Sequence, residues 1–246
     1  MILTTESVDL AVDGSTMRTF VARPKAEGRY PGVVFYSDIF QLTDPMLRIS
    51  RRLAGYGFVV AAPEIYHRIE PPGTVLGFEA DRARALDDSS RLPVAAFDAD
   101  IRAALDFLAG HPHVAPGQLA AGGFCFGGHL AFRAALQPEV KATACFYGTG
   151  IHNGKLGSDP DVGSLARAGE IRGKLLMVFG TLDPHIPEAG RQVIDAALRA
   201  AGVDYAIRLY AAEHTFMRDE GARHDPEATD QAFGEMIRLF RATLVP

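Results

Sequence analysis

The chain has 246 residues, 48% of them hydrophobic and 22% charged, a composition that excludes disordered, collagen-like and coiled-coil classes and suits one large α/β domain. Lys and Arg total 25 against 30 Asp and Glu, a net charge of −5 with no basic cluster, which argues against nucleic acid as a partner. No apolar run approaches the roughly 18 residues of a membrane span. The start, MILTTESVDL, lacks the basic and apolar regions of a signal peptide, and two cysteines make no disulfide framework, so a cytoplasmic protein is expected.

In chain order, residues 6–12 and 16–23 flank Asp13-Gly14, a pair suited to a hairpin turn. Val33-Val34-Phe35-Tyr36 follows Pro31-Gly32 and reads as a strand buried on both faces. Met46, Ile49 and Leu53 give residues 45–54 a helical period that stops at Gly55. Phe58 to Ala62 is a second buried strand, closed by Pro63. Residues 64–92 have no clear period and contain Pro71-Pro72-Gly73, the mark of a long functional loop with a short helix near 79–87. A helix over about 95–109 carries Phe97, Ile101, Leu105 and Leu108 on one face. Strands are expected at 118–123, 140–146, 174–179 and 205–210, and helices at 126–136, 187–200 and 227–243. Alternating strands and helices imply a mostly parallel sheet of about eight strands with an N-terminal antiparallel hairpin and helices on both faces. No internal repeat or linker divides residues 1–246, so one domain is expected. In such a sheet ligands gather beyond the carboxyl ends of the strands.

Gly122-Gly123-Phe124-Cys125-Phe126-Gly127-Gly128 lies between an apolar strand and an Ala-rich helix. The spacing is that of a nucleophile elbow, Gly-x-nucleophile-x-Gly, with cysteine in the nucleophile's place. Glycines flank it because a strained tight turn leaves no room for side chains. The helix starting at Phe126 aims free N–H groups and a positive dipole end at Cys125, favouring a thiolate and a developing oxyanion. Neither Gly-x-Gly-x-x-Gly after a strand nor Gly-Lys-Ser/Thr occurs, so no nucleotide-binding loop is expected. An elbow enzyme needs an acid and then a histidine in later strand-end loops. Asp183, in Gly180-Thr181-Leu182-Asp183-Pro184, and His214, after Ala211-Ala212-Glu213, occur in that order. The bland alternatives are a buried thiol, a turn-capping aspartate and a loop histidine.

Cys145, inside the run Ala142–Phe146, reads as an inert core thiol. His111 and His113 flank Pro112 with no carboxylate or cysteine at ligand spacing, so no metal site is expected. His67, His129, His152, His185 and His224 are read as surface or loop residues, with His129 close to the elbow.

The elbow at 123–128, the Asp183 loop and His214-Thr215-Phe216-Met217-Arg218 together resemble the dienelactone hydrolase family (carboxymethylenebutenolidases) of the α/β-hydrolase superfamily. Pro63-Glu64-Ile65-Tyr66 and Pro72-Gly73-Thr74 are similar to that family's loop after the second parallel strand, and the likeness runs from Val33 to the last helix. The resemblance implies a Cys125–His214–Asp183 triad that hydrolyses a lactone or ester through an acyl-thiol, with no cofactor. It implies that Asp38, in Ser37-Asp38-Ile39-Phe40, stands where the family has a glutamate that takes the thiol proton. Aspartate is one methylene shorter, and a turn-capping role is the alternative. The oxyanion is expected between the backbone N–H groups of Phe126 and Ile39. Arg218 and one arginine of Asp81-Arg82-Ala83-Arg84, with Arg84 favoured over Arg82, are implied to bind a substrate carboxylate. With no tryptophan in the chain, aromatic pocket walls must come from Phe or Tyr. The implied partner is a small lactone or ester, carboxylate-bearing if both arginines line the pocket, acted on by a monomer or small homo-oligomer. The alternatives are a thiol carboxylesterase or thioesterase for neutral substrates, a non-catalytic binding protein, and a redox sensor using Cys125 and Cys145.

Overall fold

In the computed structural model, which describes residues 1–244, a single eight-stranded sheet runs through the molecule. Its strands are β1 (Leu3–Val12), β2 (Ser15–Pro24), β3 (Tyr30–Tyr36), β4 (Val59–Pro63), β5 (Val114–Phe124), β6 (Val140–Phe146), β7 (Lys174–Gly180) and β8 (Tyr205–Tyr210). The order across the sheet is β1-β2-β4-β3-β5-β6-β7-β8. β1 pairs antiparallel with β2 through Asp13-Gly14, β2 pairs antiparallel with β4, and every later pairing is parallel. Only β2 therefore runs against the rest. The expected hairpin and mostly parallel sheet are both present, in the α/β-hydrolase arrangement.

Six helices cover the sheet: α1 (Asp44–Ala54), α2 (Arg82–Asp88), α3 (Val94–Gly110), α4 (Phe126–Ala134), α5 (Glu188–Ala200) and α6 (Pro226–Thr243). The central strands read as continuous apolar runs because helices seal both faces; β4, Val59-Val60-Ala61-Ala62-Pro63, is buried at every position. The edges are more open, and β8 has no fully buried residue. β3 begins at Tyr30, earlier than the sequence indicates, because its ladder with β5 shifts register between Tyr30 and Gly32 and so accommodates Pro31, which has no N–H to donate. Among the described residues no helix is long and apolar enough to cross a membrane.

Candidate active site

β5 ends at Phe124 and α4 begins at Phe126, so Cys125 alone makes the turn from strand to helix, at φ 55° and ψ −118°. That left-handed conformation is strained for a residue with a Cβ. The flanking glycines explain how it is held: a Cβ on Gly123 would lie 2.2 Å from the Gly127 carbonyl oxygen, and one on Gly127 would lie 2.2 Å from that of Ser37. The Cys125 N–H donates to the Phe146 carbonyl at 3.0 Å, and its own carbonyl accepts from Gly128 at 3.0 Å and Thr149 at 3.1 Å.

Three other non-glycine residues in left-handed conformations lie around the same end of the sheet: Gln41 at φ 66°, Tyr147 at 39° and Thr215 at 65°. Each such residue costs on the order of 1–3 kcal/mol, and they concentrate where a site over-determines the backbone. The fifth, Asp13, sits in the β1–β2 turn.

Asp183 follows β7 and His214 follows β8. The His214 Nδ1–H donates to Asp183 Oδ2 at 2.6 Å, with both residues buried. Burial opposes charge on His214, yet the facing Cys125 side chain and the Asp183 bond carry its pKa up to about 10. Burial likewise works against the Asp183 carboxylate, but the His214 bond and the His185 backbone N–H at 2.8 Å keep it below the usual range. Tyr147 packs edge-on against the His214 ring, centroids 5.2 Å apart.

Cys125 and His214 open into a cavity of about 450 Å³. Phe126 and Ile39 line it beside them, and neither backbone N–H has an acceptor among the described residues. Phe40 and Phe78 form its aromatic wall, packed edge-to-face at 5.0 Å, and supply what the absent tryptophan cannot. Asp38 also lines it. Its Oδ1 accepts from the Phe40 N–H at 3.0 Å, so this side chain both caps a turn and faces the cavity. Burial raises the Asp38 pKa against the pull of that bond and of Arg218. Arg218 stacks its guanidinium 3.8 Å over the Phe78 ring and stands 3.9 Å from Asp38.

Of the two arginines on α2, Arg82 is the one that lines the cavity. Arg84 does not: its Nε donates to Glu70 at 2.8 Å and a second guanidinium nitrogen bonds the other Glu70 oxygen. Residues two apart on a helix point in nearly opposite directions, so only one could face inward. Arg82, Leu86 and Ser89, spaced by four and three, form the cavity side of α2 and its C-terminal cap. That periodicity is present in the sequence and was the usable signal. Arg223 lines the mouth and pairs with Glu213 at 3.1 Å.

Two histidines, His67 and His129, are buried and so depart from the surface reading, whereas His185 is an exposed loop residue as expected. His185 belongs to the cavity, its ring centroid 4.7 Å from that of His214, with its pKa lowered by burial and by that neighbour. His67 is buried, bonded to Asp100 at 3.0 Å and Ser15 at 2.9 Å. His129 is fully buried; Nδ1 meets the Thr149 carbonyl at 3.0 Å and Nε2 meets Ser164 Oγ at 2.8 Å. Burial lowers the His129 pKa to about 3. Ser164 Oγ also accepts from Arg133 at 3.0 Å, and neither Ser164 nor His129 lines the cavity. Cys145 is fully buried in β6, which pushes its thiol pKa far up.

Residues 17–244 match the dienelactone hydrolase family. A candidate carboxymethylenebutenolidase from Saccharomyces cerevisiae is 34% identical over 94% of this chain and 88% of its own. A carboxymethylenebutenolidase from a Pseudomonas species is 29% identical over 88% of this chain and 86% of its own. Among solved structures, a candidate dienelactone hydrolase from Klebsiella pneumoniae matches with a TM-score of 0.87 at 26% identity, covering 98% of this chain and 99% of that one. With the family matched along nearly its whole length and the fold shared end to end, this chain belongs to the dienelactone hydrolase family, hydrolases of the α/β-hydrolase fold.

Proposed function

We propose that the protein hydrolyses a small lactone or carboxylic ester through an acyl-thiol on Cys125, with His214 as acid and base and Asp183 orienting the imidazole. The observation that carries this reading is Cys125 held at positive φ on the elbow, in one cavity with an imidazole already bonded to a buried carboxylate. His214 takes the proton of the Cys125 thiol, which leaves an attacking thiolate beside an imidazolium. The thiolate attacks the carbonyl carbon, and the oxyanion is met by the N–H groups of Phe126 and Ile39. As the C–O bond breaks, the leaving oxygen takes its proton from His214. Acylation removes the thiolate charge that holds the imidazole pKa high, so His214 is now neutral and takes a proton from water. That water attacks the acyl-thiol, the C–S bond breaks, and the thiolate and imidazolium are restored. Asp38 serves as a second acceptor for the thiol proton, which requires it to be ionised.

The buried Ser164–His129 pair is the weaker candidate for this chemistry. It lies off the cavity, has a carbonyl instead of a carboxylate behind the imidazole, and spends its serine oxygen on Arg133. Arg218 and Arg82 favour a substrate bearing a carboxylate, since guanidinium–carboxylate pairs are strong where water is excluded. Incubation with a panel of lactones and esters, read by intact-protein mass spectrometry, tests the reading. An acyl adduct should map to Cys125. Cys125→Ala should lose turnover by several orders of magnitude, on the scale of ~10⁶ for a comparable nucleophile, while Cys145→Ala keeps most of it. Unchanged turnover in Cys125→Ala would refute the mechanism.

A further inference from the structure

Behind Asp38 and Arg218 lies a second, much smaller cavity of about 20 Å³, which Cys125 does not line. That volume is just enough for one water, which needs roughly 10–15 Å³ and two to four polar partners. The residues with polar side-chain atoms that line it are Asp38, Arg218, Thr43 and Tyr147; the remaining walls are apolar.

Two features of these groups point to a ligand between them. The Asp38–Arg218 separation of 3.9 Å is too long for a direct hydrogen bond, and opposite charges at that distance are commonly bridged by water. Thr43 is the residue preceding α1, where a threonine hydroxyl ordinarily accepts from an N–H of the first turn. Here the side chain makes no such bond, although the residue is buried, and its hydroxyl has no partner among the described residues. The residue is instead part of the cavity wall.

Pro45, Ile49 and Met217 line the small cavity and also a third one, of about 200 Å³, on the outer side. That outer groove is rimmed by half-exposed Arg48 and Asp219 and so reaches solvent. These three side chains are thus walls common to the small cavity and the outer groove, while Asp38 and Arg218 are walls common to the small cavity and the substrate cavity.

We propose that this cavity is a one-water site, in which the water donates to Asp38 Oδ2, accepts from Arg218, and is held by the Thr43 hydroxyl. It hydrates the Asp38 carboxylate from behind and exchanges with the outer groove past Ile49 and Met217. The carboxylate therefore stays ionised when substrate dehydrates the front. The functional part of this inference rests on the role proposed for Asp38. The other groups that act on Asp38 are His214, which lines the substrate cavity, the buried Tyr66, and Tyr147, which lines the small cavity itself.

A high-resolution crystal structure of the free protein reads the site directly, and one ordered water bonded to all three groups is expected. In Thr43→Val, which keeps the shape and removes the hydroxyl, that water should be lost. The acid limb of kcat/KM should then move to higher pH, with a loss of about threefold near pH 5 that vanishes above about pH 7. Thr43→Ser should restore both the water and the limb, which a merely structural role for Thr43 would not require. Ile49→Phe, filling the cavity from its apolar wall, should reproduce the Thr43→Val shift. An empty or apolar-filled cavity in the crystal, or a Thr43→Val acid limb identical to wild type, overturns the inference. A Cys125 that forms no acyl adduct would instead defeat the proposed function and leave the water site standing.

Discussion

The two cysteines illustrate how little residue type decides at the scale of a single side chain. Cys145 lies within β6 with its thiol pushed far toward the neutral form, whereas Cys125 faces an imidazole at the start of a helix. His214 carries the most informative titration. Its folded pKa of about 10 lies above the ~6.5 of an unfolded histidine, so its charge stabilises the fold. That contribution is complete below about pH 6.5 and is lost as the pH rises through about 10. The gap in unfolding free energy between wild type and His214→Gln, measured by urea denaturation, should hold steady below about pH 6.5 and narrow toward pH 10. A gap that widened over that range would contradict the raised pKa of His214. Asp38 shows where residue-level reading stops. Capping a turn and facing the cavity look like alternatives in the sequence, but the one side chain does both.

At the scale of elements, the elbow, the Asp183 loop and the His214 loop were legible because each is a local signal: a strand, a short loop and a distinctive residue. α2 was less so. Its arginines are a pair of which one must face out, and the partner that claims Arg84, Glu70, comes from 14 residues earlier in an aperiodic loop. The histidines failed for the same reason. His67 finds Asp100 across 33 positions and His129 finds Ser164 across 35, separations that no local pattern encodes. The two faces of α2 make different predictions. Arg82→Ala should reduce the kcat/KM preference for a lactone acid over its methyl ester by about tenfold, an exposed arginine contributing less than the 2–5 kcal/mol of a buried pair. Arg84→Ala should leave that preference intact while lowering thermal stability, because it frees Glu70. Equal kcat/KM for acid and ester in the wild type would favour a neutral-ester hydrolase.

At the scale of the molecule, the alternation of strand and helix sufficed for the architecture, since apolar runs of strand length between amphipathic helices leave few ways to bury every surface. The same pattern of burial ranks the strands. β4, β3 and β5 lie inside the sheet under helices, whereas β1 and β8 are edges with mixed or exposed faces. Hydrogen–deuterium exchange should therefore find β3, β4 and β5 opening only with global unfolding, and β1 and β8 through smaller fluctuations. Protection in β1 equal to that in β5 would contradict this ranking.

Asp38, Cys125, Tyr147, Asp183 and His214 follow β3, β5, β6, β7 and β8, so the site is collected from five successive parallel strands. The imidazole comes from the last strand of the sheet and the thiol from the middle of the chain. During synthesis on a ribosome, the elbow therefore emerges well before its base. Until β8 docks against β7, Cys125 has neither His214 nor the complete cavity beside it. The meeting of thiol and imidazole therefore waits on the docking of β8.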